Sequence, residues 1–599
     1  MDTDIMARLE SRVKTLLPVE PKRKCLSLLL MVGFASTAEA AVWGVTLKPT
    51  ITISQSYSDN LTLRPASLAQ SGFVTQLDPS LNIVRDTANT KFNLHSRLQY
   101  LYYEDISLSP RLYPQLQMTS KTELYDDSIF VDSSSTVGQG NSSSIGGGVS
   151  SSNIYQSPFT PHTTYRTFRF SPYWTPHFGG YAEGEVRFGY YHFGNSTSSS
   201  PTSTATGNSI GNLGTDTYQE SLNLKSGRKF NSSSLSWRLS ANNQNQRSQT
   251  SSGSNLRFRN ANGEISQRLF GDISAFIQTG YYDNQYSGNT VAKNGIYVTP
   301  GLSWSPSPNF SFAAGYGYNA YFSNVNWNPS ERTSFQLTYR NSQVGGSAYG
   351  SGSGFGGLSS TPPGFNYNQV GGSSGQAASN SATGALGATN AGTTWNGSFN
   401  HRARTTHWNA SYYTTTTTIQ QILASTQTFA TQYDAQGNPI TSATAIERPI
   451  NQPNLTDGIV ISKNAQASVT WTLPKSNLTL SGYHRDYTYS TNNSPPQKTL
   501  GITASWIWRF SPRMSAMVNE TWQSSEYQGS GLSASNNRKT EYLSASVSLN
   551  RQISSFVSSS LQFYYIQSNA NNINAVGNVL ASQGTYESNR ITANLFISF

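Results

Sequence analysis

The sequence predicts an all-β protein: a large transmembrane antiparallel β-barrel of about 24 strands, with 22 as the alternative, short periplasmic turns and long outer loops. Three observations lead there. Segments of alternating apolar and polar residues recur from Val45 to Phe599, the connections between them alternate short and long, and charge is sparse. Successive side chains of a strand leave opposite faces, so strict alternation offers one face to hydrocarbon and the other to water. Charged residues make up 12% of the 599 residues and aromatics another 12%. That charge is about half the usual share of a soluble domain. A barrel accounts for it, because its lipid face is apolar and aromatic while Ser, Thr, Asn and Gln fill lumen and loops; the mean hydropathy is accordingly −0.46.

The chain opens with a secretory signal. Lys22-Arg23-Lys24, the apolar run Leu26 to Ala35 and Ala38-Glu39-Ala40 give the basic region, apolar region and small-x-small cleavage site in order, so residues 1–40 are expected to be removed between Ala40 and Ala41. The apolar run falls short of the ~20 residues a spanning helix needs, and no later run reaches them, so any membrane crossing is made by strands. The single cysteine, Cys25, lies inside the signal, which leaves residues 41–599 without thiol, disulfide or thiolate metal ligand. Removing the signal takes six basic and five acidic residues and leaves a net charge of +9. These cations are dispersed, whereas nucleic-acid binders gather them on one face among aromatic platforms, so no nucleic-acid partner is expected.

Along the mature chain, Val45, Leu47, Ile51 and Ile53 begin the first strand, and Phe73, Leu77, Leu81 and Ile83 mark the second, which ends at a tight turn over Asp86 to Thr90. The third sets Phe92, Leu94, Leu98, Tyr100 and Tyr102 against Lys91, Asn93, His95, Arg97 and Gln99. The same division returns with Ala182, Gly184, Val186, Phe188 and Tyr190 against Glu183, Glu185 and Arg187, and again over Leu235 to Asn242. Later examples are Ile296 to Trp304, Phe310 to Tyr318, Ala465 to Leu473, Leu500 to Phe510 and Leu543 to Leu549; the one helical periodicity, Ile419 to Ala430, falls inside a loop.

Short connections share a chemistry. Trp174-Thr175-Pro176, Trp304-Ser305-Pro306, Leu473-Pro474-Lys475 and Phe510-Ser511-Pro512 each place an aromatic residue or Leu at a strand end and then a proline turn, which suits the periplasmic membrane interface. The long connections, expected near 133–162, 194–216, 350–394 and 418–457, are rich in Ser, Gly, Asn and Thr and face outward. The last strand alternates Ile591, Ala593, Leu595, Ile597 and Phe599 with Arg590, Thr592, Asn594 and Ser598. A terminal aromatic residue such as Phe599 resembles the signal read by the barrel insertion machinery, and both termini then lie on the periplasmic side.

Three stretches carry a family likeness. They are Tyr57-Ser58-Asp59-Asn60-Leu61 with Ser71 to Leu81, Trp327-Asn328-Pro329-Ser330-Glu331-Arg332-Thr333, and His401-Arg402-Ala403-Arg404-Thr405 with Trp408 and Ser411-Tyr412. Together with the closing Glu587-Ser588-Asn589-Arg590-Ile591 they resemble the outer-membrane barrel proteins associated with the PEP-CTERM/exosortase system of Gram-negative bacteria, over about Leu47 to Phe599. The chain departs from the pattern where Arg340 to Gly350 leads into a long Gly-Ser insertion instead of a compact arginine-and-phenylalanine turn. The resemblance implies surroundings rather than a reaction: the outer membrane, exopolysaccharide export components as partners, and surface-protein sorting.

Two charge clusters stand out. Arg402 and Arg404, two residues apart on an expected strand and opposite Trp395, Phe399 and His401, would point into the lumen with Glu331 and Arg332 nearby. They would form either a cationic ring that selects anionic substrates such as acidic polysaccharide, or a structural pairing of Glu331 with one arginine. Lys91, His95 and Arg97 with Glu183, Glu185 and Arg187 would form a second lumen network. Seven histidines show no metal-ligand spacing, and the chain has no nucleophile elbow or phosphate loop, so neither enzyme activity, metal nor cofactor is expected. The expected role is a conduit or scaffold in exopolysaccharide export, the alternatives being a general diffusion porin or a structural barrel whose outer loops bind glycans.

Overall fold

The computed structural model describes residues 44–104, 110–141, 162–197, 214–249, 255–285, 294–347, 389–418, 432–433, 439–440, 459–489, 496–527, 538–571 and 585–598. The signal, Phe599 and the helical periodicity at Ile419 to Ala430 lie outside the described residues.

Twenty-four strands form one closed sheet. The first six are β1 (Val45–Ser58), β2 (Gly72–Asp86), β3 (Thr90–Tyr103), β4 (Arg111–Tyr125), β5 (Ile129–Asn141) and β6 (His162–Trp174). Next come β7 (Ala182–Thr197), β8 (Gly214–Ser226), β9 (Leu235–Ser248), β10 (Asn255–Phe270), β11 (Ile273–Gln285) and β12 (Gly295–Ser307). The second half begins with β13 (Phe310–Tyr316), β14 (Ala320–Ser330), β15 (Thr333–Ser347), β16 (Thr389–Arg402), β17 (Thr406–Thr418) and β18 (Ile459–Thr472). It ends with β19 (Ser476–Tyr489), β20 (Gln497–Ser511), β21 (Met514–Tyr527), β22 (Arg538–Gln552), β23 (Val557–Asn571) and β24 (Tyr586–Ser598). A two-residue strand, His177–Phe178, pairs with the start of β7, and Gln432–Tyr433 with Pro439–Ile440 makes a separate small ribbon.

Each barrel strand pairs antiparallel with its sequence neighbours, and β1 pairs with β24 from Thr50↔Ser598 to Ser58↔Arg590. Closure leaves no open sheet edge, which a hydrocarbon environment requires of a backbone that cannot hydrogen-bond to lipid. Side chains alternate as the pleat demands. On β1, Ile53 and Tyr57 are exposed outward while Ser54, Ser56 and Ser58 are buried inward; on β20, Leu500, Ile502, Trp506 and Trp508 face out while Thr499, Thr503 and Ser505 face in. Trp174, Trp304, Trp327, Trp408 and Phe510 line the outer surface at the periplasmic ends, as an interfacial aromatic girdle does. The molecule is an outer-membrane barrel, with the strand number at 24.

One expectation is corrected. The outer loops are shorter than their composition implied, since Ser133–Asn141 continue β5 and pair with β6, Gly194–Thr197 continue β7, and Thr389–Thr394 already belong to β16. Ladder hydrogen bonds come from the backbone, so a strand that rises beyond the bilayer into water on both faces needs no apolar alternation. The barrel's cross-section follows from contacts between its walls. A circular barrel of this size would hold opposite walls on the order of 40 Å apart. Instead, the backbones of β11 and β15 approach each other around the bend at β13, Phe276 of β11 stacks on Phe322 of β14, and side chains of β7 pack with those of β18 and β19 across the interior. Each pair lies about equally far along the sheet from β13, so the barrel is flattened along an axis from β1 to β13, and walls β2–β12 and β14–β24 face each other.

Glycines admit the rings this requires. A Cβ at Gly301 would overlap the Phe276 ring, and one at Gly501 would overlap Tyr483, whose hydroxyl donates to Gln523 Oε1 at 2.7 Å. Phe276 in turn stacks on Phe322 of β14, with centroids 5.7 Å apart.

Candidate functional site

The inward faces change character along the barrel. At the outer end of β3, Gln99, Leu101 and Tyr103 are buried, whereas Lys91 and Asn93 at its periplasmic end are exposed; on β18 the change runs from buried Val460 and Ser462 to exposed Thr472. At the outer end Phe193 of β7 packs with Val460 of β18 and Tyr487 and Tyr489 of β19, with Tyr191 against the group. β7 and β19 are diametrically opposite, so this cluster joins the two walls across the interior. Below it the columns are mainly Ser, Thr, Asn and Gln, for example Ser462, Asn464, Gln466, Ser468 and Thr470 on β18. The interior is thus mainly polar below an apolar contact between the walls at its outer end.

Nearer the seam lies a second apolar cluster. Leu61 and Leu63, from the segment between β1 and β2, are buried with Leu101, Tyr103 and Tyr113 on one side and Tyr542, Tyr564, Ile566 and Tyr586 on the other. The first and last family-like motifs meet here. Asp59 accepts hydrogen bonds from Asn589 N (2.7 Å) and Nδ2 (2.8 Å), and Asp59 N donates to Asn589 O at 3.1 Å. Buried Asn60 donates through Nδ2 to Arg64 O (2.7 Å) and Glu587 O (2.8 Å), while its Oδ1 accepts from Thr62 Oγ1 and Arg64 N at 3.2 Å each. Ser56 with Thr592 (2.9 Å) and Ser58 with Ser588 (3.0 Å) extend the clasp down the inner face.

The other two motifs also meet, at the periplasmic rim. Thr333 Oγ1 and His401 Nδ1 are 2.8 Å apart, Arg402 N donates to Arg332 O at 2.7 Å, and His401 stands opposite Trp408 in register. The expected strand face shared by Arg402 and Arg404 is not there. β16 ends at Arg402, and Arg404 lies in the three-residue turn before β17, because Ala403 N bonds back to Thr406 O and ends the ladder. Glu331 and Arg332 occupy the preceding turn, and all four side chains are exposed. Among the described residues no ion pair links Glu331 to an arginine, so the cluster is a rim feature rather than a ring within the lumen. His401 and His407 lie on opposite faces, outward and inward.

The second expected network is three separate ones. β3 and β7 are four strands apart, so Lys91, His95 and Arg97 do not reach Glu183, Glu185 and Arg187. Arg97, beside buried His95, pairs with Asp78 of β2, which also accepts from Gln76 Nε2 at 2.6 Å. Arg187 binds Asp132 of β5 at 2.9 Å, Glu185 at 3.0 Å and Ser171 Oγ at 3.2 Å, and its guanidinium lies 3.8 Å over the Tyr173 ring. Phe130 stacks on the far face of Tyr173 at 5.0 Å. Glu183 pairs with Lys225 of β8 at 2.7 Å, and Lys91 is exposed near the periplasmic mouth. Sequence reasoning missed Asp78 and Asp132. Asp78 sits on the strand next to its cation's and Asp132 two strands from its own, across β6, a signal that is readable only once turn lengths set the register.

No protein-family model matches the chain, and no curated protein matches it. Among solved structures, it is similar to a mutant of the ferric enterobactin receptor of Pseudomonas aeruginosa, with 10% identity over 92% of this chain and 80% of that one and a TM-score of 0.45. A variant of the FrpB iron transporter from Neisseria meningitidis shares 10% identity over 94% of this chain and 83% of its own, with a TM-score of 0.46. The siderophore receptor PirA from Acinetobacter baumannii shares 8% over 92% and 80%, with a TM-score of 0.43.

Proposed function

We propose that this barrel is a gated outer-membrane conduit for a hydrophilic polymer in an exopolysaccharide export system, filled from the periplasm and closed at the cell surface until its walls part. The observation that supports the reading is the pairing of a polar vestibule, open toward the periplasm, with the apolar cluster of Phe193, Val460, Tyr487 and Tyr489 at the opposite end. Ser, Thr, Asn and Gln walls offer exchangeable hydrogen bonds to a polymer rich in hydroxyls, without the tight pockets that would hold it. An apolar constriction blocks ions and water by dewetting, and among the described residues no ion pair crosses it. The exosortase setting rests on the family-like motifs alone.

Single-channel conductance of refolded residues 41–599 in a planar bilayer tests this reading. The intact chain should be mostly closed, and the Phe193→Ala/Tyr487→Ala/Tyr489→Ala variant should conduct. Steady conductance with weak selectivity from the intact chain would make it a general diffusion porin. A folded variant that stays closed would remove the conduit reading and leave a surface scaffold or glycan-binding barrel.

A further inference from the structure

The periplasmic ends of β14 to β23 carry the most one-sided charge among the described residues. Five consecutive turns hold Arg332, Arg402, Arg404, Lys475, Arg509, Arg513 and Arg551, and Glu331 is the single acid among them. All are exposed, and among the described residues none is tied to a carboxylate. Beside these cations stand exposed apolar residues on or next to the outward face: Trp327, Trp408, Leu473, Phe510 and Phe556. The opposite wall's rim differs. Asp86, Glu123, Asp126, Asp127, Glu183 and Asp272 are interspersed with its cations, and pairs such as Lys225–Glu183 (2.7 Å) and Arg268–Asp272 (3.8 Å) neutralise it locally.

We infer that this arc binds the headgroups of acidic phospholipids in the periplasmic leaflet, so that one wall of the barrel carries an anionic lipid collar. An aromatic ring at the hydrocarbon boundary with a cation next to it matches a lipid whose acyl chain lies on the ring and whose phosphate meets the guanidinium. Arginine suits this contact, since its planar fork can donate two hydrogen bonds to one phosphate. A polymer track into the lumen would need the cations to continue inward from the rim, and directly above it they do not; the inward cations of this wall, Arg340 of β15 and Arg485 of β19, stand higher in the barrel. Above Arg402 the inward column reads Asn400 and Ser398, and above Arg509 it reads Ile507 and Ser505. Uncharged residues thus separate the rim cations from those within the barrel, and the rim is where headgroups lie.

Native mass spectrometry of residues 41–599, titrated in detergent with phosphatidylglycerol or phosphatidylethanolamine, tests the collar. The wild-type chain should retain phosphatidylglycerol at a tenfold or lower lipid concentration than phosphatidylethanolamine. The R332Q/R404Q/K475Q/R513Q/R551Q variant, which spares the inward-facing Arg402 and Arg509, should bring the two lipids level, while R85Q/K91Q/R228Q/K229Q on the opposite rim should leave the preference in place. Folding is checked by heat-modifiable migration on gels. If the fivefold variant fails that check, R404Q/R513Q, confined to two turns, should still lower the preference at least threefold. Equal retention by wild type and arc variant, or equal loss from both rims, would overturn the inference. So would arc-dependent binding of soluble alginate with no lipid preference, which would make the arc a polymer mouth instead.

Discussion

Arg187 shows how a charge is held inside this barrel. Its side chain is buried, and four groups surround it: the carboxylates of Asp132 and Glu185, the Ser171 hydroxyl and the Tyr173 ring. Removing one partner of a buried pair leaves the rest uncompensated, which costs more than the pair's net contribution. Arg187→Ala should therefore lower stability by about 3 kcal/mol, read as a lower urea midpoint for loss of the heat-modifiable folded band. Arg187→Ala/Asp132→Ala/Glu185→Gln should recover part of that loss; a triple variant as unstable as the single one would mean that the guanidinium acts through packing on Tyr173. At this scale the sequence was half informative. Alternation put Glu183, Glu185 and Arg187 on one face, and the structure keeps them there with Glu185 bound to Arg187, yet their other partners, Asp132, Ser171 and Lys225, are set by register.

The closing strand depends on more than its ladder. β1 and β24 share nine register pairs, and Asn60 locks the outer end of that seam by using every hydrogen-bonding position of its amide in four contacts. Asn60→Ala would leave Glu587 O and Arg64 N–H short of partners in a buried site, at a cost of about 2 kcal/mol. Its folded band should disappear at a lower temperature than that of wild type, whereas Asn60→Asp, which keeps the acceptor, should lose less. Equal loss from both would show that the amide donors carry the clasp. The motifs here were visible in the sequence as a likeness, and the strand pairing that brings residues 59–60 against 587–589 gives them a physical role. The Arg402/Arg404 expectation failed at this scale, because period-2 counting assumes a strand that continues, and Ala403 turns it.

For the whole molecule, the decisive feature is contact between walls. Residues 41–599 contain no cysteine, so a pair introduced at Phe193→Cys and Val460→Cys would be the only thiols in the mature chain. With the walls in contact, a short bismaleimide should link them within one molecule in native membranes, and the linked barrel should remain closed even when it carries the Tyr487→Ala/Tyr489→Ala substitutions. A circular barrel would hold these positions beyond the reagent's reach, so the absence of linkage in a folded protein would refute the flattened cross-section.

The sequence by itself determined the class, the strand number, the alternation of faces and the periplasmic turns, because each is written locally, in a two-residue period or a proline turn. The tertiary structure alone decided that Phe193 meets Val460, Tyr487 and Tyr489, that Arg97 is served by Asp78 and Arg187 by Asp132, and that four arginine-motif residues stand at the rim. Those contacts depend on how 24 local strands add up to a curvature, and curvature is a property of the closed sheet that no single segment encodes.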